Sequence, residues 1–169
     1  MPSRRTLLLG GGLAGSAVLG AVATDRLWHS GTVKRKRISV SWEQGGVEGS
    51  GHLLQTVLAP DGEVDLQYAP AYVEAAVEGA RAVSVDGSLH EDLATEFGSV
   101  AYTVGVCGTA PGENCAYGMR RVGREGFNRL QVGDVGTVSV AGDRLFVHGV
   151  EERSDWSGRS DVGTFEFER

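Results

Sequence analysis

The sequence predicts an all-β domain over residues 38–169, a sandwich or a barrel with one short helix. Three observations carry this. Apolar residues alternate with polar ones in short runs, turns rich in Gly, Pro and Asp separate the runs, and one stretch alone has clear helical spacing.

Taken in order, Ile38, Val40 and Trp42 alternate with Ser39 and Ser41, the period of a strand buried on one face. A Gly-rich turn over 45–51 leads to a second strand at 52–59, which Pro60-Asp61-Gly62 ends. Val64, Leu66 and Tyr68 alternate with Asp65 and Gln67 in a third. Residues 71–80 fit a helix face through Tyr72, Val73, Ala76 and Val77, and fit a strand as well. Val83 and Val85 read as a short strand ending at Asp86-Gly87. Ser88 followed by Glu91 has the form of a capping box, and Leu89, Leu93 and Phe97 recur every four residues up to Gly98. The helix therefore belongs at about 89–97. Val100, Tyr102, Val104 and Val106 alternate up to Cys107, and a strand returns over 115–122. Residues 135–140 and 144–150 flank Ala141-Gly142-Asp143 as a hairpin, and the last strand, 164–168, turns Phe165 and Phe167 inward. Eight or nine short strands favour a single β-sandwich, for which extracellular immunoglobulin-like domains are the architectural analogy; a barrel is the alternative.

The N-terminal stretch RRTLLLGGGLAGSAVLGAVA admits two readings. Gly10, Gly12 and Gly15 fit G-x-G-x-x-G, the phosphate cradle of a dinucleotide enzyme. That cradle needs a βαβ unit and an acidic residue about 20 positions on, where this chain has Val33-Lys34-Arg35-Lys36-Arg37. No series of strands and long helices follows to build its sheet, so no nucleotide cofactor is expected. Ser3-Arg4-Arg5-Thr6-Leu7-Leu8, with its apolar continuation and the small-x-small pattern of Ala21 and Ala23, resembles a twin-arginine signal peptide. The resemblance implies that Arg4 and Arg5 engage the twin-arginine translocon, that residues 1–23 are cleaved, and that the protein is secreted or at the cell surface. Left uncleaved, the segment is a membrane anchor, and membrane contact is expected only through it. Residues 24–37 show no periodicity and read as a flexible basic tether.

The chain has a formal charge of -6, and loss of Arg4 and Arg5 takes this to about -8, which gives no general electrostatic case for nucleic acid. Lys34 and Lys36 are the only lysines among 16 basic residues and Ile38 the only isoleucine. This usage resembles that of secreted proteins of halophilic archaea, or of a high-GC bacterium; carboxylates keep a surface hydrated in salt that screens their repulsion.

Cys107 and Cys115 bracket Pro111-Gly112 between two strand patterns, so a structural disulfide across a hairpin mouth is expected, contributing roughly 2.5 kcal/mol. The spacing is wider than a redox C-x-x-C pair, and no ligand set suits zinc. A blue-copper loop around Cys115 and Met119 lacks its histidine, and His148 on a strand face with Phe146 and Val150 is expected to be partly buried and hydrogen-bonded. GRSDV at 158–162 falls short of a nucleophile elbow, and Ser50 and His52 in GSGH are neighbours in a turn rather than a working pair. No catalytic, metal or cofactor residues are assigned. The expectation is a non-enzymatic exported domain with an extracellular partner or ligand; the alternative is a small secreted enzyme or redox carrier whose site joins residues far apart in sequence.

Overall fold

A computed structural model describes residues 28–108, 115, 118–153 and 158–168. Arg4, Arg5, Ala21, Ala23 and the Pro111-Gly112 turn lie outside the described residues. The fold is all-β. Eight strands are described: β1 (His29–Gln44), β2 (Val47–Leu58), β3 (Val64–Tyr68), β4 (Ser99–Cys107), β5 (Met119–Val122), β6 (Val135–Ala141), β7 (Arg144–Glu151) and β8 (Ser160–Thr164). Three short helices join them, α1 (Pro70–Val73), α2 (Gly87–Glu96) and α3 (Arg124–Arg129).

β1 organises the sheet because its 16 residues find partners along both edges. One edge pairs with β4 over 32–41; the other is divided between β6, over 29–32, and β2, over 35–44. β4 pairs with β5, β5 meets β7 in parallel at Arg121 and Arg144, and β7 returns antiparallel to β6. The strands β1-β4-β5-β7-β6 therefore close a ring. Five strands in this order, with a parallel closing pair and a helix between the third and fourth, have the connectivity of an OB barrel. Of the two forms the sequence allows, the ring is the barrel. β2, β3, α1 and α2 form an excursion between its first two strands, and the sheet runs on from β1 through β2 and β3 to β8, which lies parallel to β3.

Local chemistry explains these elements. Gly45 and Gly46, at φ 61° and 80°, make the two-residue link that lets Gln44 face Val47, so β2 starts inside what composition marks as a longer turn. α3 packs against β4 and β7, with Phe127 fully buried against the Tyr102 ring at 5.2 Å, and Leu130, its C-cap, fully buried as well. The helix at 87–96 lies where apolar spacing places it, but its cap is Asp86, whose Oδ1 accepts from the Leu89 N–H at 2.7 Å; Ser88 is already inside. Residues 71–80 resolve as α1 and a 3₁₀ turn, Glu74–Ala76, that bury Val73 and Ala76. The last strand lies at 160–164 rather than at the expected 164–168; Phe165 and Phe167 follow it outside the strand and still pack against the core as expected.

The tether is the main correction. Composition predicts a flexible tether over 24–37 and a domain that starts at Ile38, yet within the described residues β1 starts at His29 and buries Thr32, Val33 and Lys36. The reason is a close approach: Gly31 lies against the Cys107 backbone carbonyl, where any Cβ would collide, and the missing side chain lets β1 enter between β4 and β6.

Replacing Gly31 by Ala is expected to lower stability by about 1–3 kcal/mol in urea unfolding, as overpacking against backbone does. Gly87→Ala, with nothing near the new methyl group, should leave stability unchanged or raise it by less than about 1 kcal/mol.

Candidate functional site

The run Lys34-Arg35-Lys36-Arg37 is the chain's densest basic segment, and strand alternation divides it. Lys36 shares the inward parity of Ile38 and Val40 and is fully buried; Arg35 and Arg37 point outward. Lys36 Nζ donates to the Val83 carbonyl at 2.7 Å and to Gln131 Oε1 at 2.8 Å, and sits 4.1 Å from the centre of the Phe127 ring. Burial strips water from the ammonium and lowers its pKa to about 7, against the opposing pull of the Asp134 carboxylate.

Gln131 and Asn128, at the end of α3, act as a substitute strand for the segment holding Val83 and Val85. Gln131 Oε1 accepts from Val83 N at 3.0 Å while its Nε2 donates to Val83 O at 3.2 Å. Asn128 repeats this on Val85, with Oδ1 to N and Nδ2 to O both at 2.8 Å. An amide side chain carries one donor group and one acceptor side by side, so it can satisfy a peptide edge that no strand reaches. Val83 and Val85 are accordingly buried without forming the short strand expected of them; Val83 keeps a single bridge to Val77.

Next to this lies an open groove of about 620 Å³, lined by Arg81, Asn128, Arg129, Gln131, Asp134 and Arg153 among others. Its buried carboxylate is already engaged. Asp134 accepts from Gln131 N at 3.1 Å and Arg153 N at 3.3 Å and pairs with Arg81 at 3.5 Å, while Arg81 Nε donates to the Val132 carbonyl at 2.7 Å. These contacts fasten α3 and β6 to β1, where Val33 N donates to the Asp134 carbonyl at 2.8 Å.

Cys107 and Cys115 are joined as a disulfide, with Cα atoms 4.2 Å apart, and close the chain between β4 and β5. Among the described residues no cysteine is free, and no cluster of His, Cys, Asp and Glu is composed to hold a metal. His148 is hydrogen-bonded as expected but exposed rather than partly buried: its Nε2 lies 2.8 Å from Ser139 Oγ and its ring stacks on Trp28 at 4.5 Å. No carboxylate among the described residues bonds its other nitrogen. Ser50 and His52 lie two residues apart in β2, exposed on the same face with no hydrogen bond between them; the His52 ring packs against Phe165, and Ser160 and Asp161 are exposed in β8.

The outer face of β2, β1, β4 and β5 carries Arg35, Arg37 and Arg121, the last 3.9 Å from the Asp143 carboxylate. Register places Gln55, Arg37, Thr103 and Arg121 in one cross-strand row and Val57, Arg35, Gly105 and Met119 in the next. Arg37 is held by Gln55 Oε1, which accepts from both Nε and Nη2. In the sequence the basic run has the composition of a linker, and the parity that Lys36 shares with Ile38 and Val40 is the one signal in it for both the buried lysine and the arginine face.

Lys36 makes stability depend on pH. Its folded pKa, about 7, lies below the unfolded value near 10.5, so between these the unfolded chain binds more protons and stability should rise with pH; below about 7 the cost of burying the charge is paid in full. Lys36→Met leaves Val83 O with Gln131 Nε2 and Gln131 Oε1 with Val83 N. That variant should be at least as stable at pH 6 and lose the slope, which unfolding curves at pH 6, 8 and 10 will read.

Compared with known proteins, the chain matches no family model, no curated protein and no solved structure.

Proposed function

We propose that the chain is an exported, non-enzymatic binding domain and that the outer face of its barrel takes an anionic polymer. One observation carries the reading: Lys34–Arg37 is split by β1 so that Lys36 holds the core while Arg35 and Arg37 join Arg121 on an open sheet surface. Arg35 and Arg37 stand about 7 Å apart along β1, and Arg37 and Arg121 about 10 Å apart across two strands. Such an array suits repeated charges rather than one phosphate. Thr103, Gly105 and Met119 fill the space between, and among the described residues of these two rows no aromatic ring offers a base a surface to stack on, which favours an acidic polysaccharide over nucleic acid. Sheet faces of this barrel type are used for oligosaccharides and oligonucleotides alike, an analogy of architecture only. The enzyme alternative rests on Ser139 and His148, a pair with no orienting carboxylate described.

Heparin, as a sulfated polysaccharide probe, is expected to bind the purified chain with an affinity that falls as salt rises. Arg37→Ala/Arg121→Ala should weaken that binding about tenfold or more, whereas Arg129→Ala, on α3, should not; stronger binding of poly(dT) than of heparin in fluorescence anisotropy would refute the ligand class. For the address, Arg4→Lys/Arg5→Lys should retain the protein inside the cell, because lysine does not reproduce paired guanidinium groups. Fractionation and mass spectrometry check this, and a new N-terminus near Thr24 is expected on the exported form.

A further inference from the structure

β8 and the residues after it behave as a peptide laid on the finished domain. Residues 160–164 pair in parallel with 64–68 along the outer edge of β3, and four of the five are exposed. Parallel pairing is the weaker kind, and here it sets Asp161 directly against Asp65. What holds the segment is its end. Phe165 N donates to the Tyr68 carbonyl at 3.0 Å, and Phe167 enters a box of Trp42, Tyr72 and Phe97, edge-on to each at 5.5, 5.8 and 6.0 Å. The receiving surface is shaped for this occupant. Gly51 leaves room for the Phe167 ring, which a Cβ would meet at 2.7 Å, and Gly163 passes under the Gln67 amide, which would have to move to admit a side chain.

We propose that this groove exchanges its occupant, and that the groove of one chain takes the Phe165–Phe167 tail of a second copy. Residues 152–159 join β7 to β8, a reach of about 27 Å when extended, enough to carry the tail away from its own sheet. The contacts made in trans are those made in cis, so exchange costs only the entropy of association and is favoured by concentration. Exposure and a like-charge pair make β8 easy to detach, and salt that screens Asp65 from Asp161 strengthens docking in either form. The recognition mode is strand addition at a sheet edge with two aromatic anchors.

Two full-length variants test this by complementation. Phe165→Ala/Phe167→Ala keeps the groove and spoils the tail; Gly51→Ala keeps the tail and spoils the groove. Each alone should sediment as a monomer, and their mixture should form a one-to-one dimer. Absence of a dimer from a mixture in which both chains unfold cooperatively overturns the proposal, and so does self-association of the double Ala variant alone, which places the contact elsewhere. Should Gly51→Ala fail to fold, a labelled peptide of residues 158–169 takes its place. It should bind the double Ala variant and lose more than about tenfold in affinity when its own two Phe are Ala; equal binding of both peptides counts against the groove.

Discussion

Strand β1 has two edges and three partners, and the rest of the molecule follows from how that is resolved. A strand can carry one ladder on each side, so a third partner is admitted only by dividing an edge along its length. β6 takes the first residues and β2 the last, with β4 opposite; the change of partner falls between Thr32 and Arg35, level with an irregularity in the β4 register between Val33 and Arg35. The division closes a barrel at one end of β1 and leaves an open sheet at the other. Gly31 matters at the tight end, where backbones approach too closely for a side chain.

Beside α3 the opposite problem arises, since the segment bearing Val83 and Val85 crosses there with its backbone groups buried and no strand beside it. Asn128, Gln131 and Lys36 supply the missing partners. Lysine is a costly choice, because desolvation opposes the ammonium even with two acceptors and an aromatic face against it. The arrangement gives the protein a buried titrating group whose role is to join pieces of chain rather than to react. Its amine is shut away from solvent, and the neighbouring groove is lined by groups already engaged with one another.

The open half of the sheet is held differently, by rings. Trp42 lies over Gly49, Phe167 over Gly51, and Tyr72 and Phe97 complete a cluster in which edges meet faces. Glycines in mid-strand lose propensity, and here the lost side chains are replaced by aromatic cover from β1 and from the chain's last residues. Charge is sorted across the opposite face of this sheet, with arginines along β1 and β5 and the Asp65–Asp161 pair at the β3–β8 edge. A polyanion that met the arginines would be turned away at that edge.

Much of this was legible in the residues themselves. Alternation in 38–42, 64–68 and 100–106, the apolar spacing around Leu89 and Leu93, the hairpin at Gly142 and the cysteine pair across its turn all depend on neighbours close along the chain, and local periodicity records such neighbours. The sequence therefore determined an all-β domain with a disulfide, and it carried the twin-arginine resemblance of residues 1–23. Its misreading of 29–37 has a physical cause: a basic run looks solvated until a partner 47 or 95 residues away supplies the acceptors that let Lys36 go inside. The same holds for Asn128 and Gln131, ordinary polar residues until the Val83 segment lies beside them. Closure into a barrel, the split of the arginines from the lysine, and the seating of Phe167 were decided only by the tertiary structure, because each depends on which distant backbone arrives at a given edge, and pairing energy between distant strands leaves no periodic mark on either one.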